Sequence, residues 1–412
     1  MCSFAIRSNA LLIMKILQLC KKFPYPLKDG ESIAVTYLAR ALHELGAEIH
    51  LLAMNTTKHF FDLKKLPVEF NHYQSIKTVG LDNRLKASSA LFNLFEGSSY
   101  HVSRYHFAAY EKALIGLLKA QEFDIIQLET LYLTPYIPTI RKYTTAKIVL
   151  RSHNIEHEIW ERVLDNVKNP LKKWYLAIQI KRLKDFELQQ LDKVDLLLPI
   201  TNRDAQNYKQ LGNSSAVLTC PIGLDISDYP EESLNTEEIS LSFIGSLDWA
   251  PNIEGIQWFL DQVWADVLKK YPKCELHIAG RNTPQWLIDQ SYPNVTIHGE
   301  VESAIQFITQ HPIMIVPLLS GGGMRVKILE SMALSRITVT TSIGVEGIHA
   351  EDYKNVLIAN TPEEFINKID WVYQQQDALS DTGSNARQLI EKQYDNLQIG
   401  KQLFTKYKEI TR

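Results

Sequence analysis

A chain of 412 residues with 45% hydrophobic content can bury two cores, since single domains usually stop growing at about 250–300 residues. Its formal net charge of −3 lacks the strongly basic domain or stripe of a nucleic-acid binder, so no nucleic acid partner is implied. The four cysteines, Cys2, Cys20, Cys220 and Cys274, show no C-x-x-C or Cys/His spacing; they fit a reducing compartment and signal no metal site.

Residues 10–20, "ALLIMKILQLC" behind Arg7, have the apolar character of a signal-peptide core, but Lys15 interrupts the run and no small-residue cleavage site follows. "KILQLC" reads as a first buried strand, and Met14 is an alternative start that makes residues 1–13 an extension. No other run reaches the roughly 18 apolar residues of a membrane span, so a cytoplasmic protein is expected, with peripheral contact at the inner membrane face left open. Further strands are expected at 48–54, 124–128, 147–152 and 195–200, with a helix over 32–45 that Ser32 caps and Gly46 stops. The aromatic stretch 88–118 places Leu91, Leu94, Phe95, Phe107, Tyr110, Leu114 and Leu117 at helical spacing, mostly as core. Tyr100, Arg104 and Tyr105 are candidates for an acceptor groove, since aromatic rings with polar tips suit sugars and lipid carriers. Residues 171–191 mix Lys and Arg with Trp174, Tyr175, Leu176 and Ile180; an amphipathic surface helix is the plainer reading and contact with an anionic bilayer the other.

In the second half, strands are expected at 239–244, 274–279, 295–298, 313–317, 337–340 and 355–358. Near-continuous apolar strands alternating with helices mean parallel sheets covered on both faces, hence two doubly wound α/β domains. The polar stretch "YPEESLNTEE" (229–238) marks the break, giving domains at 14–228 and 239–395. Residues 392–410 read as a final helix after a break near Tyr394–Asn396.

Within the second half, "LLSGGGMRVKILESMA" (318–333) follows a strand end, where such sheets bind ligands. Gly321, Gly322 and Gly323 free a turn of side chains, and a helix is expected over 324–334. Helix N-terminal amides with Arg325 and Lys327 suit a diphosphate, and the backbone amides of Gly323 and Met324 are candidates for another part of the same ligand. Glu330, one to two turns further in, suits the hydroxyls of a ribose. In the first half, Gly30 and Ser32 open a helix after the first strand, His153 and Asn154 follow the strand over 147–152, and Thr201 with Asn202 follows that over 195–200; these are the candidates for the cleft and acceptor side. His157 falls one turn beyond His153 and is expected to face solvent or a neighbouring helix. Neither G-x-G-x-x-G nor G-x-x-x-x-G-K-[ST] occurs at these turns, which lowers the case for a nicotinamide or flavin oxidoreductase or a P-loop ATPase.

"PIGLDISDY" (221–229), "SFIGSLDWAPNIEGIQWF" (242–259), "LHIAGRNTP" (276–284), "VTIHGEV" (295–301), "VPLLSGGGMRVKILESMA" (316–333) and "TSIGVEGI" (341–348) resemble, in order and spacing, the segments of GT-B glycosyltransferases of the retaining family 4. The resemblance implies two Rossmann-like domains facing across a cleft, the second holding a nucleoside-diphosphate sugar and the chain crossing back at 396–412 onto the first. It implies transfer of a hexose to a saccharide, lipid-linked or small-molecule acceptor, as in polysaccharide biosynthesis, with His153 at the sugar or reaction centre. Gly245 falls in the first donor-domain loop. Neither a bound metal nor a cofactor is expected, as Arg325 and Lys327 supply positive charge. The chain departs from the family in two places: Gly322 stands where the first of a glutamate pair usually is, and "GSLDW" where a Gly-Arg-Leu segment is common. A sugar-nucleotide epimerase of the same architecture and a non-catalytic nucleotide-sugar-binding partner are the alternatives.

Overall fold

The computed structural model describes residues 13–27, 29–83, 99–165, 167–231 and 239–412. The chain divides into two compact units, the first made of Met1–Pro199, Ala205–Cys220 and Gly400–Arg412, the second of Ile200–Asp204 and Pro221–Ile399. The division after Cys220 precedes the polar stretch at 229–238, of which residues 232–238 lie outside the described residues. So do residues 1–12 of the expected extension, and Leu91, Leu94 and Phe95.

In the first unit the strands are β1 (Lys15–Cys20), β2 (Glu48–Thr56), β3 (Ser75–Leu81), β4 (Ile125–Leu128), β5 (Lys147–Ser152), β6 (Leu196–Pro199) and β7 (Ala216–Val217). They form one parallel sheet in the order β3-β2-β1-β4-β5-β6-β7. The second unit holds β8 (Ser240–Ile244), β9 (Glu275–Ala279), β10 (Val295–Gly299), β11 (Ile313–Val316), β12 (Ile337–Thr340) and β13 (Leu357–Ile358), parallel in the order β10-β9-β8-β11-β12-β13. Both units are therefore α/β and doubly wound, as the strand and helix alternation implies. The central strands are apolar runs because helices cover both faces: every residue of β4, β6, β11 and β12 is buried. Leu17, Leu52, Tyr110 and Ile148 lie in one core, Phe243, Trp264, Ile315 and Phe365 in the other. Full burial of such a side chain contributes about 1.5–3 kcal/mol.

Strand order reverses between β1 and β4 in the first sheet and between β8 and β11 in the second. There the connections leave on opposite sides and open a crevice beyond the carboxyl ends. The helices that matter to these crevices are α1 (Gly30–Glu44), α2 (Glu156–Asp165), α3 (Pro170–Leu191), α4 (Ala250–Phe259), α5 (Val326–Ala333) and α6 (Asn396–Thr411). Asp29, not the expected Ser32, caps α1; its carboxylate accepts from the Ser32 N–H at 3.0 Å. The chain enters α6 in the second unit and from Gly400 onward belongs to the first. Within the first unit, Leu403 and Tyr407 of α6 are fully buried, and the Tyr407 hydroxyl donates to Gln127 Oε1 at 2.5 Å.

Candidate active site

In the second unit, Gly245 directly follows β8 and β11 leads into the glycine turn, so both stand at the point of strand reversal. The Gly245 N–H is spent on the Ala279 carbonyl at 3.1 Å. What Gly245 supplies is room: a Cβ there would stand 2.5 Å from Lys327 Nζ and 2.7 Å from Asn252 Nδ2. Lys327 Nζ donates to Asn252 Oδ1 at 2.9 Å and lies 4.6 Å from the centre of the Phe243 ring, while Asn252 Nδ2 donates to the Ser246 carbonyl at 2.8 Å. Strand end, α4 and α5 thus fix one ammonium at the mouth of the sheet.

The glycine turn needs its glycines, since φ is +102° at Gly321 and +79° at Gly323. Arg325 caps the following helix in an extended conformation, so α5 starts at Val326, two residues later than expected. The Arg325 guanidinium is buried and folds back, Nη1 donating to the carbonyls of both Gly322 and Gly323. It lies 5.6 Å from the centre of the Trp249 ring. Nη1 of Arg325 thus braces the glycine turn, a contact that the sequence pattern does not show. Beyond it the first turn of α5 presents N–H groups with no partner inside the helix, the arrangement that accepts an anion.

Ile328, Leu329, Met332 and Ala333 bury one face of α5 and leave Glu330 half-buried. Its Oε1 accepts from the Tyr229 hydroxyl at 3.1 Å. The Tyr229 carbonyl is held in turn by Arg387 Nη1 at 2.8 Å, which also donates to Ala333 O at 2.5 Å. Burial pushes the Glu330 carboxyl up to about 7, against the Tyr229 hydrogen bond and the nearby Lys327. Burial, helped by Arg325, pulls Lys327 down to about 7 against the attraction of Glu330. Burial thus disfavours the charge on both groups, and a ligand that offers hydrogen-bond donors to one and negative charge to the other would restore it.

In the first unit, Lys21 and Lys22 follow β1, Glu129 follows β4 and His153 follows β5. Glu129 is fully buried. It accepts from Gln18 Nε2 at 2.5 Å and from Gln127 Nε2, and its Oε2 lies 3.4 Å from His153 Nε2 and 3.7 Å from Arg151 Nη1. Burial alone would raise its carboxyl; His153, Arg151 and Gln18 together hold it below the ordinary range. Lys21 pairs with Glu31 at 3.3 Å and Lys22 with Asp29 at 2.7 Å. Against the burial that would raise it, Lys21 and Lys22 keep the Glu31 carboxyl at about 2. Gly30 and Ser32 shape this turn of α1, but the side chains that meet the basic pair are Asp29 and Glu31. The Asn154 carbonyl accepts from Ser152 Oγ at 2.7 Å, which fixes the chain just past His153. His157 faces a neighbouring helix, its Nδ1 2.7 Å from Glu187 Oε2 of α3 and its ring buried. Thr201 does not join this cluster: it groups with the second unit, and its hydroxyl accepts from the Asp204 N–H at 3.0 Å. Among the described residues no group of three or more His, Cys, Asp and Glu is placed to hold a metal ion.

Residues 238–375 match the family described as glycosyl transferases, group 1. Over these residues the chain is similar to that family. The match takes in β8, Gly245, the glycine turn, Lys327 and Glu330, so the second-unit cluster lies inside it and Tyr229 just before it. Over 300 residues the chain is 24% identical to an uncharacterized 44.6 kDa protein in the cps region of Klebsiella pneumoniae, covering 69% of this chain and 74% of that one. Among solved structures it resembles sucrose-phosphate synthase from Thermosynechococcus elongatus, with a TM-score of 0.71 and 14% identity over 96% of this chain and 99% of that one. It also resembles Anabaena HepE in complex with UDP-glucose, at 0.64 and 14% over 96% and 100%, and a glycosyltransferase from Rickettsia africae, at 0.62 and 16% over 97% and 99%. At these identities the likeness shows the GT-B architecture.

The sequence points to the glycine turn, Lys327, Glu330 and His153 as candidates, but not to the groups that the structure sets against them. Asn252 stands in the quoted "DWAPN", where nothing ties it to a lysine 75 residues away. Glu129 ends the apolar run "IIQLE", and only the placement of β4 beside β1 and β5 turns that strand-end acid into a partner for His153.

Proposed function

We propose that this glycosyltransferase moves a hexose from a nucleoside-diphosphate sugar to a saccharide, lipid-linked or small-molecule acceptor, with retention at the anomeric carbon as in family 4. The observation that carries the reading is the second unit's strand-reversal point, where the glycine turn, the first turn of α5, Lys327 and Glu330 come together. Diphosphate oxygens fit the amides of that turn and the Lys327 ammonium, and the Glu330 carboxylate accepts from the ribose hydroxyls. The likeness to HepE, seen in complex with UDP-glucose, makes UDP the first nucleotide to try.

When the bond from the anomeric carbon to the phosphate oxygen breaks, negative charge grows on the leaving diphosphate. A preorganised ammonium and helix-end amides stabilise that charge without a metal or cofactor. The acceptor hydroxyl attacks from the face the diphosphate leaves, forming the new carbon–oxygen bond, and its proton passes to a departing phosphate oxygen. No protein nucleophile enters this scheme. His153, oriented by Glu129, serves the transferred sugar in the proposal. A cytoplasmic location with peripheral contact at an anionic bilayer completes the reading.

Thermal shift with UDP, GDP and ADP tests the donor assignment, since a ligand at 100 times its Kd stabilises the folded state by about 2.7 kcal/mol. A shift with one nucleotide family supports it; no shift with any removes it. Anomeric configuration of the product, read by NMR coupling constants, tests retention.

A further inference from the structure

α3 buries Leu176, Ile180, Leu183 and Leu191 along its length, yet its first turn turns apolar groups outward. Leu171 is 77% and Trp174 61% exposed, and their three-residue spacing puts both on one side of the helix. Val163, near the end of α2, is a third exposed apolar side chain. Lys168, Lys172 and Lys173 are exposed beside them, and none is paired with a carboxylate among the described residues. Across 163–174 three lysines face one acid, Asp165, on a chain whose net charge is −3. The positive end of α3 lies here too, its N-cap Asn169 accepting from the Lys172 N–H at 3.0 Å.

We propose that this tip, the start of α3 with the end of α2, is a docking surface for an anionic phospholipid bilayer. A tryptophan and a leucine among lysines match the headgroup boundary, where the indole sits half in hydrocarbon and ammonium groups meet lipid phosphates. A protein partner fits poorly. Stable protein interfaces bury about 800 Å² per partner and are depleted in lysine, whereas three exposed apolar side chains within a dozen residues of three exposed lysines offer little area and much positive charge. The inference rests on the peripheral-contact part of the proposed function and is independent of nucleotide binding.

Co-sedimentation of the full chain with vesicles tests it. Vesicles of phosphatidylglycerol and phosphatidylcholine should bind the protein, and phosphatidylcholine alone should bind it at least about tenfold more weakly. Lys172→Glu with Lys173→Glu, and separately Leu171→Ala with Trp174→Ala, should each weaken binding to the anionic vesicles by about tenfold or more, with the melting temperature kept. Absence of binding, equal binding to both vesicle types, or binding untouched by both double variants would overturn the proposal. So would a wild-type dimer in size-exclusion that the same substitutions dissolve, since the surface would then seat a second copy. Binding of UDP, GDP and ADP is measured alongside: a nucleotide bound without vesicle binding removes the bilayer surface and leaves the transferase, and vesicle binding with none of the three bound does the reverse.

Discussion

Lys327 and Glu330 sit one helical turn apart, and burial brings each to about 7 from opposite sides. For Glu330 the folded value lies above the unfolded one, so its protonated form contributes stability that is full below about 4.5 and is lost as the pH rises through about 7. Glu330→Gln keeps an acceptor for Tyr229 and does not titrate. The variant without nucleotide should therefore gain melting temperature over wild type as the pH moves from 5 to 8, while binding UDP more weakly; a pH-independent difference would show that burial of the carboxylate is not what raises it. At His153, next to buried Glu129, His153→Ala should lower turnover far more than affinity for free UDP, because the residue is assigned to the sugar. Equal losses in both would move His153 to a structural role. The charged and glycine residues of the glycine turn were legible because three glycines before Arg325 and Lys327 form a local pattern. The role of Arg325 was not, since only the folded turn shows its Nη1 facing two carbonyls.

At the scale of elements, the buried strands were readable from uninterrupted apolar runs, and β1, β5 and β12 begin and end where those runs do. The missed strands are the sheet-edge ones. β3 alternates between half-buried and exposed positions and both residues of β7 are exposed, so neither carries the run that marks a covered strand. Helix α5 is bounded by conformation rather than pattern, because the extended Arg325 ends the glycine turn. That turn makes a separable prediction. Gly323→Ala forces a side chain onto φ +79°, which costs about 1–2 kcal/mol. It should lower both melting temperature and UDP affinity, checked by calorimetry; an unchanged melting curve would mean that the turn does not need the left-handed conformation.

For the whole molecule, the alternation of strands and helices announced two doubly wound sheets, and only the resemblance to family 4 pointed to the return of the chain at 396–412 onto the first domain. Gly400–Arg412 joins the first unit because Gly400 lets α6 approach α1, where a Cβ would stand 2.8 Å from Ala41 Cβ, and because Tyr407 reaches Gln127 beside Glu129. Deleting residues 400–412 removes two fully buried large side chains, each worth about 2–5 kcal/mol. Hydrogen exchange should then show lost protection in 14–199. Loss confined to 221–399 would assign the segment to the second unit. The central claim is that the second unit's strand-reversal point binds a nucleoside diphosphate through Lys327 and the turn that Arg325 braces. Isothermal titration of UDP into wild type, Lys327→Ala and Arg325→Ala tests it most directly. Binding to wild type is expected, with a loss of about 1.5–3 kcal/mol in Lys327→Ala, the size of one charge-assisted contact, and weaker binding together with a lowered melting temperature in Arg325→Ala, whose turn loses its brace. Affinity unchanged in folded Lys327→Ala, or no nucleoside diphosphate bound by wild type, would contradict it.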